Sequence, residues 1–530
     1  MSARTRVLIV GGGCAGTAAA LALSATPALR RRFAVRIIER SWRLGGKGAT
    51  GRDRSRGDLI EEHGLHVWMG FYERTFAAIR GVLEERGADA PRRLQTFDDA
   101  FAPRYAFSVW SPDAEHPWTL RLPSRPGRPG DGGPTPTLRA SDAAGLLASL
   151  ARSVPKTGAG ARFVRDLARL GVALAKGGAV ASMRGESLDD HDLRAWLRAH
   201  GASEAAVRSP LLRAFYDMTF AYPDGVSGPD RGAVAAGAAI RSMAKILFAY
   251  RGAPFWLLRH GMGDTAFAPA FEVLRRRGVA FSWMHTLEAV VPSADGAVAA
   301  LEFSATPLPD NPMLLDLDGL QAWPSAPLVR PETSRSIRLE RANDFDVVIL
   351  AVPAPALHDP LAAMALQHPH LRGALRTSAS VGTRAAQVWS DASPCLAGIT
   401  TGFGDGYPTA ADLSEVLQSE RWTGARRPTA LTYLVDTTPD GDVNAAHRAA
   451  DRWVHAAGIA SAERERYVRV NVEPADRYVL TLPGTVRERL SPEDDRIAGL
   501  RFAGDWTSTS INGGSVEAAF ESGERAAASL

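Results

Sequence analysis

Cysteine is nearly absent from this chain of 530 residues, which carries only Cys14 and Cys395. Two thiols cannot build a disulfide framework, so the fold rests on its own apolar core and a reducing compartment fits. No stretch reaches about 18 uninterrupted apolar residues, which argues against a membrane-spanning helix. A basic tract interleaved with aromatics is missing too. The 62 Lys and Arg and 58 Asp and Glu are scattered and leave a net charge of +4, so nucleic acid is not an expected partner. No Ser/His/Asp arrangement or metal-ligand spacing stands out, and no metal is expected. No apolar or Arg-rich leader precedes the first apolar run, so the expectation is a mature cytoplasmic protein.

What is there is an ordinary globular composition, 45% hydrophobic and 23% charged, over a length that calls for two or three interleaved domains. The chain opens on Val7–Gly16, VLIVGGGCAG. Four apolar residues without alternation read as a parallel strand covered on both faces. Gly11, Gly13 and Gly16 then form G-x-G-x-x-G, and the Ala/Leu-rich stretch Thr17 to Ser24 favours helix. In such a turn the first glycine permits the bend, the second admits a pyrophosphate to the backbone, and the third lets helix and strand pack closely. The uncovered N–H groups of the helix start, Cys14 and Ala15 among them, face the phosphates. A second strand, Val35 to Arg40, ends at Glu39, placed for a ribose 2′-OH and repelling a 2′-phosphate, which disfavours NADP. Cys14 inside the loop reads as a small residue suited to the turn.

Further on, Glu39 to Lys47 (ERSWRLGGK) and Glu62 to Tyr72 (EHGLHVWMGFY) carry a second glycine pair and a His-Gly-Leu-His run. The first resembles the E-x-x-x-R-x-G-G-(R/K) segment of the amine oxidase and carotenoid desaturase flavoprotein superfamily. The second resembles the E-x-G-L-H-V-F-F-G-C-Y segment of phytoene and ζ-carotene desaturases. Near the chain end, Leu500 to Thr507 (LRFAGDWT) and Ile511 to Gly523 (INGGSVEAAFESG) resemble that superfamily's A-G-D-(W/Y)-T and (S/T)-x-E-G-A-x-x-S-G motifs, with Ala518 where the superfamily usually has Gly. Phe345 to Pro353 resembles its D-x-V-(I/V)-x-A-(V/T)-P strand. In all, the resemblance covers residues 7–85, 251–290, 345–353 and 478–525.

This resemblance implies an α/β fold. A Rossmann-like FAD-binding domain is assembled from residues 1–85, 251–353 (with an insertion at 293–341) and 480–530. Residues 86–250 and 354–479 form an inserted α+β substrate domain. FAD is the implied cofactor. Its implied contacts are Gly11, Gly13, Cys14, Ala15, Gly16, Glu39, Arg40, Arg43, Gly45, Gly46, Lys47, Gly64, Leu65 and His66 from the first segment. Leu287, Ala351, Gly504, Asp505, Gly514, Ser515 and Val516 come from the later ones, with the helix from Val516 aimed at the flavin O2 edge. His66, Lys47 and Trp506 are the flavin-adjacent candidates for catalysis. His66 is suited to tuning or proton relay near neutral pH, and His63 is equally suited to a hydrogen bond within the loop. Lys47 stands where many relatives carry Arg and reads better as a phosphate- or backbone-binding cation.

Elsewhere the pattern predicts a helix over Phe76 to Glu85 and a hairpin pairing Tyr105, Phe107 and Val109 with Trp118, Leu120 and Leu122. Pro123 to Pro136 reads as a mobile Pro/Gly excursion. Strands are expected at Val279 to Trp283, Arg384 to Trp389 and Thr429 to Val435, and Ser293 to Arg341 reads as an insertion with little sequence signal and a polar, Pro-rich middle. Residues 141–260 read as mostly helical, with basic amphipathic helices at Phe163, Leu167, Leu170, Leu174 and at Ile240, Met243, Leu247, Tyr250. Burial of those stripes inside the helical region is the simpler account. Carotenoid desaturases are peripheral membrane proteins, so the resemblance keeps contact with the inner face of a membrane open. Three functions remain: hydride removal from an apolar substrate to form a C=C bond, with oxygen or a quinone as acceptor; oxidation of an amine or amino acid to an imine with hydrogen peroxide; and a non-catalytic nucleotide-binding scaffold. The intact motifs at both chain ends speak against the last.

Overall fold

The structure is a computed structural model. It describes residues 4–87, 92–110, 117–133, 187–308, 314–391, 398–402, 406–422, 427–459 and 465–530, with Arg165, Arg169 and Gly171. Phe163, Leu167, Leu170, Leu174 and Cys395 lie outside the described residues.

Five short strands from widely separated segments form one parallel sheet: β1 (Thr5–Val10), β2 (Phe33–Ile38), β3 (Ala280–Ser282), β4 (Val347–Leu350) and β5 (Leu500–Phe502). Their order is β3-β2-β1-β4-β5, with every pairing parallel. That is the doubly wound dinucleotide-binding order. The unalternated apolar run of β1 has a direct physical meaning. Val7 and Ile9 enter one core, and Leu8 and Val10 the other, so both faces are covered. On the first face lie α1 (Cys14–Leu23), α2 (Glu73–Arg86) and, at the chain end, the helix Val516–Ala528. On the second lie the helices Ala362–Gln367 and Pro369–Thr377 and a three-stranded antiparallel meander, His285–Pro292, Val298–Ala305 and Arg335–Glu340.

The insertion at 293–341, whose sequence carries little signal, supplies two strands of that meander. Val298, Leu301 and Phe303 are buried against the sheet, and the Pro-rich stretch lies between the second and third meander strands. The Pro/Gly segment is corrected in its described part. Residues 123–133 form no element, yet they are anchored: Arg125 N–H donates to Gly252 O (2.9 Å) and Gly130 N–H to Glu73 Oε2 (2.9 Å), with Pro129 buried. A strand not foreseen, Phe255–Leu258, joins Val67–Met69 and Phe101–Arg104 in a small antiparallel sheet.

The second half of the molecule is an eight-stranded mixed sheet beside a helical layer. The expected hairpin pairs Phe107 with Leu120 and Val109 with Trp118, and then runs parallel to Ile399–Thr401. Ser380–Ser390 and Ala430–Thr438 are its long central strands. The helical layer includes α3 (Pro210–Met218) and α4 (Ala236–Phe248), and the C-terminal helix Val516–Ala528 is α5. On α4, Ile240 and Met243 pack into the helical cluster and Leu247 packs against the large sheet's core. Among the described residues no helix is long and apolar enough to cross a membrane. Gln387 joins the two halves: its amide donates to Ile60 O (2.8 Å) and its carbonyl accepts from Glu62 N–H (2.8 Å), as a neighbouring strand would.

The terminal helix α5 packs on α1 through Gly523, where an added Cβ would lie 2.1 Å from the Ala15 carbonyl oxygen. Gly523→Ala should therefore destabilise the protein by about 1–3 kcal/mol through overpacking. A lowered midpoint in urea unfolding followed by tryptophan fluorescence is the expected result.

Candidate functional site

A cavity of about 650 Å³ lies between the two halves. Its first wall is the edge of the parallel sheet. Beyond β1 the chain turns at Gly11 (φ 101°), where a Cβ would stand 2.5 Å from Ala351 O. Gly16 lies behind this turn and off the cavity wall; a Cβ there would meet Gly11 O at 1.9 Å. Gly13 begins α1 with no side chain capping the helix, so its first N–H groups remain available to an anion. Against this turn lies the second glycine pair. Gly45 N–H donates to Gly12 O (2.9 Å), and a Cβ on Gly46 would come within 3.2 Å of Gly13 Cα. Two bare backbone turns thus meet at one wall, the cradle that a dinucleotide pyrophosphate needs.

Glu39 lines the same wall. It is buried, and its Oε2 accepts from Gly12 N–H (2.6 Å) and Oε1 from Ser41 N–H (2.8 Å). Burial pushes its carboxyl up, against the lowering effect of those hydrogen bonds. Cys14, Ala15, Arg40, Leu287 and Ala351 line the cavity nearby. Arg40 pairs with Asp476 (2.5 Å). Burial drives the Cys14 thiol up to about 12, which keeps it protonated and fits a small turn residue. Arg43 does not reach the cavity. It is half-buried, with its guanidinium 5.0 Å from the Trp42 ring centroid, and desolvation, reinforced by Arg469, pushes it down to about 10.

Both chain ends meet at Lys47, whose Nζ lies 3.1 Å from Asp505 Oδ2. Gly504, Asp505, Gly514, Ser515 and Val516 all line the cavity, and Ser515 caps α5 by accepting from Ala518 N–H. Trp506 lines it too, with its indole buried and Nε1 donating to Val352 O (3.0 Å), so no polar atom of the ring is free for chemistry. Gly64, Leu65 and His66 complete this side. His66 has both ring nitrogens engaged: Nδ1 with Glu62 Oε2 (2.8 Å) and Nε2 with Lys47 O (3.2 Å). Glu62 also accepts from Thr50 Oγ1 (2.7 Å) and Met262 N–H (3.1 Å). This geometry makes His66 a brace for the Gly45–Lys47 turn. His63 Nε2 is buried with no hydrogen-bond partner, and burial, then Arg469, hold its pKa well below the usual histidine range.

The opposite wall comes from elements to which the motifs assign no role. Phe215, Met218 and Phe220 descend from the end of α3, Ala239, Ser242 and Ile246 from α4, and Thr383 and Val435 from the large sheet. On α4 the cavity stripe is offset from the Ile240–Met243–Leu247 stripe that hydropathy picks out. Its spacing of three and four residues is a helical face, visible in principle, but only Ile246 of the three is a large apolar residue. Tyr72 and Tyr478 stand where the walls join, with Tyr478 OH donating to Gly514 O (2.6 Å).

Comparison with known proteins agrees with this geometry. The NAD(P)-binding Rossmann-like domain family matches residues 9–82. No curated protein matches the chain. Among solved structures, an oxidoreductase from Methanosarcina mazei is 11% identical, covers 98% of both chains and superposes with a TM-score of 0.60. The cyclohexylamine oxidase from Brevibacterium oxydans is 14% identical, over 99% of this chain and 98% of its own, with a TM-score of 0.53. A putrescine oxidase is 15% identical, over 99% and 98%, at 0.54. The chain shares its fold with these flavin-type oxidoreductase structures over nearly its whole length.

Two measurements follow from the site. Glu39→Ala removes a buried charged acceptor and strands Gly12 N–H, so dinucleotide binding should weaken by about 1.5–3 kcal/mol in calorimetric titration. Asp217, at the end of α3, has its carboxyl raised to about 6 by burial, opposed by Arg213 and Tyr222 and reinforced by Asp436. Against an unfolded value of about 3.9, the folded chain binds this proton more tightly, so its stabilisation is complete below pH about 4 and lost as pH rises through about 6. About 3 kcal/mol is at stake, and Asp217→Asn should flatten that part of the stability profile in urea unfolding between pH 4 and 8.

Proposed function

We propose that this protein is an FAD-dependent oxidoreductase that removes a hydride from one carbon and a proton, released to solvent, from its neighbour in a neutral, apolar substrate, leaving a C=C bond. The observation that carries the reading is the wall facing the glycine turns. Val67, Met69, Phe71, Phe215, Phe220, Ile246 and Val435 line it. Among the described residues Asp217 is the one acid there, and its side chain is 0% exposed, held by Tyr222 OH (2.5 Å) and Arg213 (3.5 Å). The cations that line the cavity, Arg40 and Lys47, are already paired with Asp476 and Asp505. Among the described residues a substrate carboxylate meets no free cation, and a substrate ammonium meets no open carboxylate on this wall, so desolvating either costs more than it returns.

FAD rather than NAD fits the two glycine turns reinforced from the chain end by Asp505 and α5. When bound, FAD supplies the two-electron acceptor. The chain's own share is to bind and orient. Glu39 takes the ribose edge, the start of α1 takes the pyrophosphate, and His66 with Glu62 holds the Lys47 turn in place. The apolar wall excludes water from the reacting groups. Oxygen or a quinone then takes the electrons, and an apolar substrate is delivered from a lipid surface.

Amine or amino-acid oxidation, giving an imine and hydrogen peroxide, is the second reading. The likeness to cyclohexylamine and putrescine oxidases favours it, as does the aromatic pair Phe220–Tyr478, with ring centroids 4.8 Å apart. The purified protein should be yellow, with flavin absorption bands; a colourless protein that binds NAD would overturn the cofactor assignment. Under anaerobic conditions, polyisoprenoid or acyl compounds should bleach the bound flavin. Bleaching by amines alone would reverse the order of the two readings.

A further inference from the structure

Six described residues other than glycine hold a positive φ: Asp58, Phe220, Met284, Asp318, Ala342 and Asn512. Of these, Phe220 and Asn512 line the cavity. Asparagine enters the left-handed region readily, but a bulky aromatic side chain there is a true outlier. Phe220, at φ 50°, follows the C-terminal turn of α3. The turn is held on every side. Ala221 N–H donates to Tyr216 O (3.0 Å), Tyr222 N–H to Phe220 O (2.7 Å) and Ala233 N–H to Ala221 O (2.9 Å). Tyr222 OH reaches back to Asp217 Oδ1 (2.5 Å). Strain of this kind persists only where the surroundings over-determine it, and it concentrates at functional sites.

What the strained backbone achieves is the direction of one ring. Phe220 meets Tyr478 edge-on, with centroids 4.8 Å apart and planes at 70°. Tyr478 is tied by its hydroxyl to Gly514 O (2.6 Å), directly before the residue that caps α5. A side chain from the helical layer and one anchored to the dinucleotide half therefore close on each other where the two walls of the cavity join. We propose that Phe220 is a specificity-determining residue: an aromatic gate that limits the bulk of the apolar group able to pass from the substrate wall to the dinucleotide wall. The gate rests on the apolar-substrate reading above. It passes a slim, neutral hydrocarbon chain and holds back a ring-ended one.

The test uses the flavin-loaded protein and two neutral probes of equal carbon number, geranylgeraniol and all-trans-retinol, titrated while the bound-flavin difference spectrum is followed. Wild type should bind geranylgeraniol more tightly than retinol. Phe220→Ala and Phe220→Gly should tighten retinol about tenfold and leave geranylgeraniol within about twofold. Unchanged discrimination in both variants overturns the gate while leaving the apolar-substrate reading in place. If neither probe binds wild type or variants, that reading falls and the gate falls with it. Thermal melting supplies the second readout. Glycine accepts φ 50° without strain, so Phe220→Gly should melt above Phe220→Ala; the reverse order overturns the strained-backbone origin of the gate.

Discussion

Close backbone approach at the dinucleotide edge is the constraint on which the rest of the molecule depends. Three contacts require a missing Cβ: Gly11 against Ala351, Gly16 against Gly11, and Gly523 against Ala15. The first locks the turn after β1 to β4, the second sets α1 on the sheet, and the third brings the last helix of the chain onto the first. With side chains at these points the strands and helices would stand apart, and the wall of bare N–H groups would not form. The glycines therefore act as distances rather than as flexible points.

Buried charge then fixes how the separated segments register. Arg52 and Asp264 form an ion pair at 2.5 Å with side chains 0% and 1% exposed, and Arg52 also donates to Asp58 O (3.1 Å) and Ser419 O (2.8 Å). One guanidinium thus holds the hairpin after the glycine pair, the turn before the helix Ala268–Arg276, and a turn from the second half of the chain. Glu517 does similar work for α5: its carboxylate accepts from the Arg74 and Thr75 N–H groups and the Thr75 hydroxyl, at the N-terminus of α2. Such groups contribute little net stability, because desolvation offsets attraction, but a wrong register would leave each of them unpaired in the interior.

His66 shows how this network alters a reading made from residue type. Histidine at a cavity wall suggests a proton relay. With a carboxylate on one ring nitrogen and the Lys47 carbonyl on the other, both of its nitrogens are spent on tying the second glycine turn to Glu62. Arg43 moves in the same sense, from an expected contact to a half-buried cation beside Trp42. Both residues serve the shape of the turn.

The dinucleotide half was legible in the sequence because its demands are local. A tight turn needs Gly11, an acidic residue must end the second strand, and each motif lies within a few residues of the element that presents it. The parallel strands were legible too, as unalternated apolar runs around Val7 and Val347. The meander was not, because its strands half-face solvent and interrupt their apolar pattern with Glu302, Arg335 and Arg338. Nor was the substrate wall. Phe220, Ser242, Ile246 and Val435 come from two helical stretches and one strand, and no spacing relates the three elements. Their convergence was decided only by tertiary packing, because the helical layer and the large sheet had to close over the dinucleotide edge before those side chains shared a cavity. The sequence by itself determined a nucleotide-binding turn held from both ends of the chain; the packing of the two halves decided what faces it.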